Sequence, residues 1–175
     1  GVKATRVAAI SGKDKRVIYN GKPTEGWNRN AAALALTTLN IVKKAKENKE
    51  VVSIAYVGNI VEVWEQFYEN GIRVEMGSDQ TSLHNPWSGG YYPVDLTFDT
   101  SNELIKDDPE LFKTKVQETL RRHTKAINKH VLKGTYFFDY GNAFLLEASR
   151  AGGDVLNEEG TDFKFRSYVQ DILGP

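Results

Sequence analysis

The segment Val51-Val-Ser-Ile-Ala-Tyr-Val57 is almost unbroken in apolar side chains, and Gly58-Asn59 follows it directly. A strand without a polar face belongs in a sheet covered on both sides. The next residues, Ile60, Val63, Trp64 and Phe67, recur at helical spacing, and Gly71 supplies a left-handed position to close the helix. A buried strand feeding straight into an amphipathic helix is a βα unit, which calls for parallel pairing through a crossover. Ile72-Arg-Val-Glu-Met76 offers the strand that comes after.

The alternation extends in both directions. Upstream, Thr5 to Ser11 predicts a short strand, and the lysine-rich, Gly- and Pro-punctuated stretch from Gly12 to Gly26 reads as turn and loop with a solvated basic face. Asn28 or Asn30 offers an N-cap to a helix running from Ala31 to Glu47, with Leu36, Leu39, Val42 and Ala45 near helical spacing. Downstream, Thr100-Ser-Asn-Glu103 has the form of a capping box, and Asp108-Pro109 sets an N-cap before a first-turn proline. The long helix from Pro109 to about Leu132 carries Phe112, Val116, Leu120, Ile127 and Val131 on one stripe, with His123 inside it. Thr135 to Asp139 is a further strand, Asn142 to Arg150 a short helix ending at Ala151-Gly-Gly153, Asp154 to Lys164 a polar connection, and Ser167 to Leu173 a last helix. The sum is a single α/β domain, a three-layer open parallel sheet of the Rossmann-like kind. Its length of 175 residues suits one domain.

Composition removes several classes of function. Lysine plus arginine (23) equals aspartate plus glutamate (23), so no strong field is present to hold nucleic acid or an anionic membrane. The chain has no cysteine, which excludes a disulfide framework, a thiolate metal site and a cysteine nucleophile within it. No apolar run approaches the roughly 18 residues of a membrane span, and the composition fits a cytoplasmic protein. The start at Gly1 and the stop at Leu-Gly-Pro175 suggest a domain excised from a longer chain.

Ligands of open α/β sheets sit beyond the carboxyl ends of the strands. Three strands here end in polar words: Val57-Gly58-Asn59, Gly77-Ser-Asp-Gln-Thr81 and Asp139-Tyr-Gly-Asn142. In the two Gly-Asn pairs, glycine permits close backbone approach, while asparagine either caps the following helix or binds a ligand. The loop from Gly77 to Pro93 is the richest in functional side chains. Asp79, Ser82 and His84 include the residue types of a hydrolase triad but lack a nucleophile-elbow pattern, so an Asx turn is the better reading of Asp79. His84, His123 and His130 lack metal-ligand spacing, and His123 on an apolar stripe reads as structural. Tyr91 and Tyr92 suit stacking on a planar ring and serve equally as loop anchors. No Gly-x-Gly-x-x-Gly or Walker pattern occurs.

Longer strings carry a family resemblance. Ser53-Ile-Ala-Tyr-Val-Gly-Asn59, Val61-Glu-Val-Trp-Glu65, Gly77-Ser-Asp-Gln-Thr-Ser-Leu-His-Asn-Pro86, Gly89-Gly-Tyr-Tyr-Pro93, Val116-Gln-Glu-Thr-Leu-Arg-Arg122, Phe138-Asp-Tyr-Gly-Asn-Ala-Phe-Leu-Leu-Glu-Ala148 and Ser167-Tyr-Val-Gln-Asp-Ile-Leu-Gly-Pro175 resemble urocanase, urocanate hydratase. The resemblance runs from about Glu25 to the C-terminus. It implies the NAD-binding Rossmann-like domain of a hydro-lyase of histidine degradation, which adds water to urocanate to give imidazolone propionate and uses NAD as an electrophile rather than a hydride carrier. Carried over by motif, the NAD contacts are Asn59, Ile60, Gln80, Thr81, Ser82, Leu83, His84, Tyr91, Tyr92 and Tyr140, with no catalytic residue and no metal ligand in this chain. The family's glycine-rich phosphate turn and reactive cysteine lie outside the matched region and are absent here, so the chain by itself is expected to be inactive and to depend on flanking domains. Of the family's acidic residue on the ribose side, Asp14 is the nearest counterpart. A homodimer is among the assemblies left open. The rival reading is a non-catalytic dinucleotide-binding or assembly module that keeps the same fold.

Overall fold

The apolar strand β4 (Val52–Val57) pairs in parallel with β1 (Thr5–Ile10), with Thr5 opposite Val52 and Ile10 opposite Val57. On its other edge lies β2 (Arg16–Tyr19), antiparallel, which in turn holds the two-residue β3 (Lys22–Pro23). The structure, a computed structural model, describes residues 5–10, 16–19, 22–23, 31–81, 83–141 and 143–173. It divides into two compact units, 1–72 and 73–175.

In the first unit the parallel β1–β4 pair agrees with the parallel sheet that the sequence predicts. The strands β2 and β3 correct the expectation that 12–26 is turn and loop. Arg16-Val-Ile-Tyr19 is a β-branched and aromatic run that finds an open antiparallel edge on β4. The missed signal is Asn20-Gly21, the dipeptide most favoured between two paired strands. Within β4, Val52, Ile54, Tyr56 and Val57 are buried and Ser53 is exposed; Val51 lies outside the strand and is 64% exposed. The helix α1 (Ala31–Glu47) buries Leu39, Val42 and Ala45 as its spacing predicts, and it packs on α2 (Ile60–Glu69) and on the strands. Helix α2 buries Val61, Val63, Trp64 and Phe67, so Val61 takes the deep position that periodicity assigned to Ile60. Gly71 has the expected left-handed φ of 66°, and the Ile72 N–H donates to the Phe67 carbonyl at 2.9 Å. Ile72 therefore belongs to the helix exit. The strand expected at 72–76 begins at Met76 for that reason.

In the second unit β5 (Met76–Asp79) and β6 (Tyr136–Asp139) pair in parallel, Met76 opposite Tyr136 and Asp79 opposite Asp139. A bridge on the far side of β6 joins Asp139 to Ser167, and the Asp139 N–H donates to the Arg166 carbonyl at 2.8 Å. Helix α3 (Phe98–Asp107) is capped three residues before the predicted position. Thr97 is the N-cap, and its reciprocal bonds are with Thr100 rather than between Thr100 and Glu103. Helix α4 (Pro109–Val131) follows, with the Asp108 carboxylate accepting from the Leu111 N–H at 2.9 Å.

The α4 stripe of Phe112, Val116, Leu120, His123 and Ile127 is fully buried. Each of its large apolar side chains contributes about 1.5–3 kcal/mol on burial, which makes α4 the rigid floor of this unit. Helix α5 (Phe144–Arg150) packs on α4, and Gly153 lets that approach happen: a Cβ there would lie 2.8 Å from Thr124 Oγ1 and 2.9 Å from the Ala148 carbonyl. The last helix, α6 (Tyr168–Leu173), is capped by Ser167, which exchanges hydrogen bonds with Gln170 at 2.9 and 3.2 Å. No helix among the described residues is long and apolar enough to cross a membrane.

Candidate functional site

The carboxyl ends of β5 and β6 stop at the same level, so Asp79 and Asp139 stand side by side, both buried. The Asp79 carboxylate accepts the Thr81 N–H at 2.9 Å and the Thr81 hydroxyl at 3.0 Å. This is the Asx turn its sequence predicts, and it bends the chain at the strand end. The turn leaves Gln80 and His84 exposed, Thr81 half-buried and Leu83 completely buried beneath them. After β6 the chain turns through Gly141 at φ 84° and Ala143 at φ 66°. Glycine adopts that region freely, whereas a left-handed alanine costs on the order of 1–2 kcal/mol. Ser82, Asn142 and Asp14 lie outside the described residues.

Tyr91 and Tyr92 are both tied into the second unit. Tyr91 is buried, its hydroxyl 3.0 Å from Nδ1 of His123, and the His123 ring is tilted against Phe144 at 4.8 Å. Burial pushes the Tyr91 hydroxyl well above its usual pKa, with the charge of Asp79 adding to the shift, so the side chain is a neutral strut. His123 has the structural place its stripe predicts. Tyr92 donates to Asn102 at 3.2 Å and packs on Phe98 at 5.0 Å, fixing the loop to α3.

Asp139 is the electrostatic focus of the rim. Burial raises its carboxyl pKa; the Gly141 N–H opposes that, Asp79 reinforces it, and His84 and the Tyr140 N–H oppose it more weakly. The net shift is upward. Its Oδ1 has no hydrogen-bond partner among the described residues. Tyr140 is 45% exposed and stacks on Tyr168 with ring centroids 5.0 Å apart and an interplanar angle of 14°. Asp139, Ser167 and Tyr168 stand within the family strings but outside the residues that the resemblance assigns to the cofactor. Asp139 carried its signal as the last residue of a strand opposite another aspartate; Ser167 and Tyr168 carried none until the bridge to β6 brought them to the rim.

In the first unit, Asn59 caps α2 by accepting the Val61 N–H at 3.0 Å, and both Asn59 and Ile60 are half-buried. Gly58 has a purpose the sequence did not show. A Cβ on it would lie 2.4 Å from Tyr56 Cε1, so the space a side chain needs is filled by the Tyr56 ring. The Tyr56 hydroxyl donates to Glu62 at 2.9 Å, and burial followed by the Glu62 charge raises its pKa.

An α/β chain whose parallel strands end in such a polar rim falls in the class of Rossmann-like, dinucleotide-binding folds. The family model described as "Urocanase Rossmann-like domain" matches residues 9–172. The chain belongs to the urocanase family. It is 51% identical over 140 residues to a probable urocanate hydratase of Caenorhabditis elegans, covering 78% of this chain and 21% of that protein. It is 55% identical over 131 residues to the probable urocanate hydratase of Dictyostelium discoideum, covering 73% and 20%. Against urocanate hydratase of Mus musculus it is 41% identical over 175 residues, covering 96% and 26%. The chain thus spans between 20% and 26% of the length of these relatives.

Proposed function

We propose that this chain is the cofactor-holding domain of a urocanate hydratase and that the dinucleotide it holds is NAD. The observation that carries the reading is the β5–β6 rim, where Gln80, His84 and Tyr140 stand exposed above a buried carboxyl pair, in a chain of the urocanase family. The residues suit such a ligand. Asp139 Oδ1 is a buried acceptor without a partner among the described residues, and NAD brings hydroxyl and carboxamide donors. The exposed Tyr140 ring suits a planar base.

In this account Gln80, Thr81, Ser82 and His84 contact the cofactor from the β5 loop and Tyr140 from the β6 end. Leu83, Tyr91 and Tyr92 hold that loop in place from the packed layer. For Asn59 and Ile60 the proposal rests on their position at the end of β4 and on the urocanase motif. When bound, NAD supplies an electrophilic ring to the hydration of urocanate. The proton transfers and the placing of urocanate fall to parts of the enzyme beyond this chain, and a cytoplasmic location goes with the reading.

The test is to purify the full-length protein, denature it, and identify any released dinucleotide by mass spectrometry while following urocanate loss by its ultraviolet absorbance. Bound NAD with turnover by the full-length protein, and no turnover by residues 1–175 alone, is the expected result. Turnover by the short chain contradicts the division of labour; a full-length protein with neither turnover nor dinucleotide contradicts the function.

A further inference from the structure

We propose that Asp139 is a direct ligand contact of this domain: its Oδ1 accepts a hydrogen bond from a donor on the bound dinucleotide, a ribose hydroxyl or the carboxamide N–H. The proposal rests on the reading of the β5–β6 rim as a dinucleotide site and adds to it a residue to which the motifs assign no contact, although it stands beside Tyr140 in the same string.

Three observations carry it. First, Asp139 is only 8% exposed, and Oδ1 meets no donor among the described residues. Buried polar atoms of native proteins nearly always have partners, so an acceptor left open at a strand end marks the place where something else arrives. Second, the neighbouring carboxylate is already employed. Asp79 spends Oδ1 on the Thr81 N–H and Oδ2 on the Thr81 hydroxyl, which makes it the builder of the loop and leaves Asp139 as the group with an open acceptor. Third, Asp139 is central on the rim: Asp79 is its register partner on one side, Ser167 bridges to it on the other, and the exposed Tyr140 follows it in the chain. A carboxyl buried beside another carboxylate is poorly placed for stability alone, and its upward pKa shift agrees with that. Such an arrangement is kept where a ligand repays it.

The experiment is calorimetric titration of NAD into the full-length protein freed of any co-purified dinucleotide and into its Asp139→Asn and Asp139→Ala variants treated the same way, with thermal unfolding of each in the absence of NAD. Asparagine keeps the size of the side chain and can accept from the Tyr140 and Gly141 N–H groups through its amide oxygen while turning its amide NH2, a donor, toward the ligand's donor. The expected result is an affinity lowered about 10-fold or more in both variants, with the unfolding midpoint of Asp139→Asn equal to or above that of the parent and that of Asp139→Ala lower, because alanine leaves the Tyr140 and Gly141 N–H groups without their acceptor. A crystal structure of the full-length protein with NAD is expected to place a ligand donor within hydrogen-bond distance of Oδ1. Unchanged affinity in the variants, or a complex in which no ligand donor reaches Oδ1, overturns the proposal while leaving the dinucleotide site standing. Failure of the parent to bind NAD overturns both.

Discussion

Replacing Gly58 by alanine separates two explanations of the glycine that follows β4. If the residue exists to let a ligand approach the backbone, the substitution leaves folding alone and weakens binding. The structure says otherwise. The added methyl would lie 2.4, 2.6 and 2.7 Å from Cε1, Cζ and Oη of Tyr56, all inside the closest approach that real Cβ atoms make. The ring has no free direction, because Tyr56 is fully buried and its hydroxyl is held by Glu62 at 2.9 Å. Forcing it aside costs an overpacking penalty of about 1–3 kcal/mol. Stretching a bond to a carboxylate adds on the order of 1 kcal/mol. Against this stands a gain of about 0.4–1 kcal/mol from restricting the unfolded chain. The net expectation is a loss of about 1–3.5 kcal/mol, read as a lower urea midpoint at constant slope. The double variant Gly58→Ala, Tyr56→Ala should recover part of the loss, a coupling of about 1 kcal/mol or more in the mutant cycle. A Gly58→Ala protein within about 0.5 kcal/mol of the parent, with no coupling to Tyr56, refutes the reasoning.

Further expectations follow from other contacts. Tyr91→Phe removes the buried bond to His123 and should cost about 1–3 kcal/mol in urea unfolding, with ligand affinity changed less than stability. The folded-state pKa of Tyr91 lies above the usual 10, so the unfolded chain gives up its proton first; stability is full below about pH 10 and falls as pH rises past it. The drop in urea midpoint between about pH 8 and about pH 10.5 should accordingly be smaller in Tyr91→Phe than in the parent. Thr97→Ala deletes the cap of α3 and should cost about 1 kcal/mol, measured the same way. Gly153→Ala presses a methyl onto Thr124 and the Ala148 carbonyl and should cost about 1–3 kcal/mol, only partly recovered by Thr124→Ala because the carbonyl remains.

The parts of the fold that were legible in the sequence are those set by local chemistry. The α4 stripe from Phe112 to Ile127, the Asp108-Pro109 start, the left-handed Gly71 and the Asx turn of Asp79 each follow from local residue type and spacing and stand in the structure as predicted, whereas Val131, the last residue expected on the stripe, is only half-buried. What was not legible depends on partners far away in the chain. The strand after α2 begins at Met76 and not Ile72, because β6 supplies the pairing edge there and the helix exit takes Ile72. The antiparallel β2 was hidden under a lysine-rich composition that spoke of loop. In the site, motif strings named the loop residues, but the division between exposed Gln80, His84 and Tyr140 and buried Leu83 and Tyr91 is a product of packing. So is the open acceptor of Asp139, which depends on Asp79 being used elsewhere.

The central claim is that a dinucleotide rests on the ends of β5 and β6. Hydrogen exchange of the full-length protein with and without NAD tests it most directly, because it reads each backbone segment separately. The account predicts slower exchange on NAD addition in residues 80–84 and 139–143, with the buried α4 unchanged. Protection confined to other segments, with both strand ends exchanging as before, contradicts it.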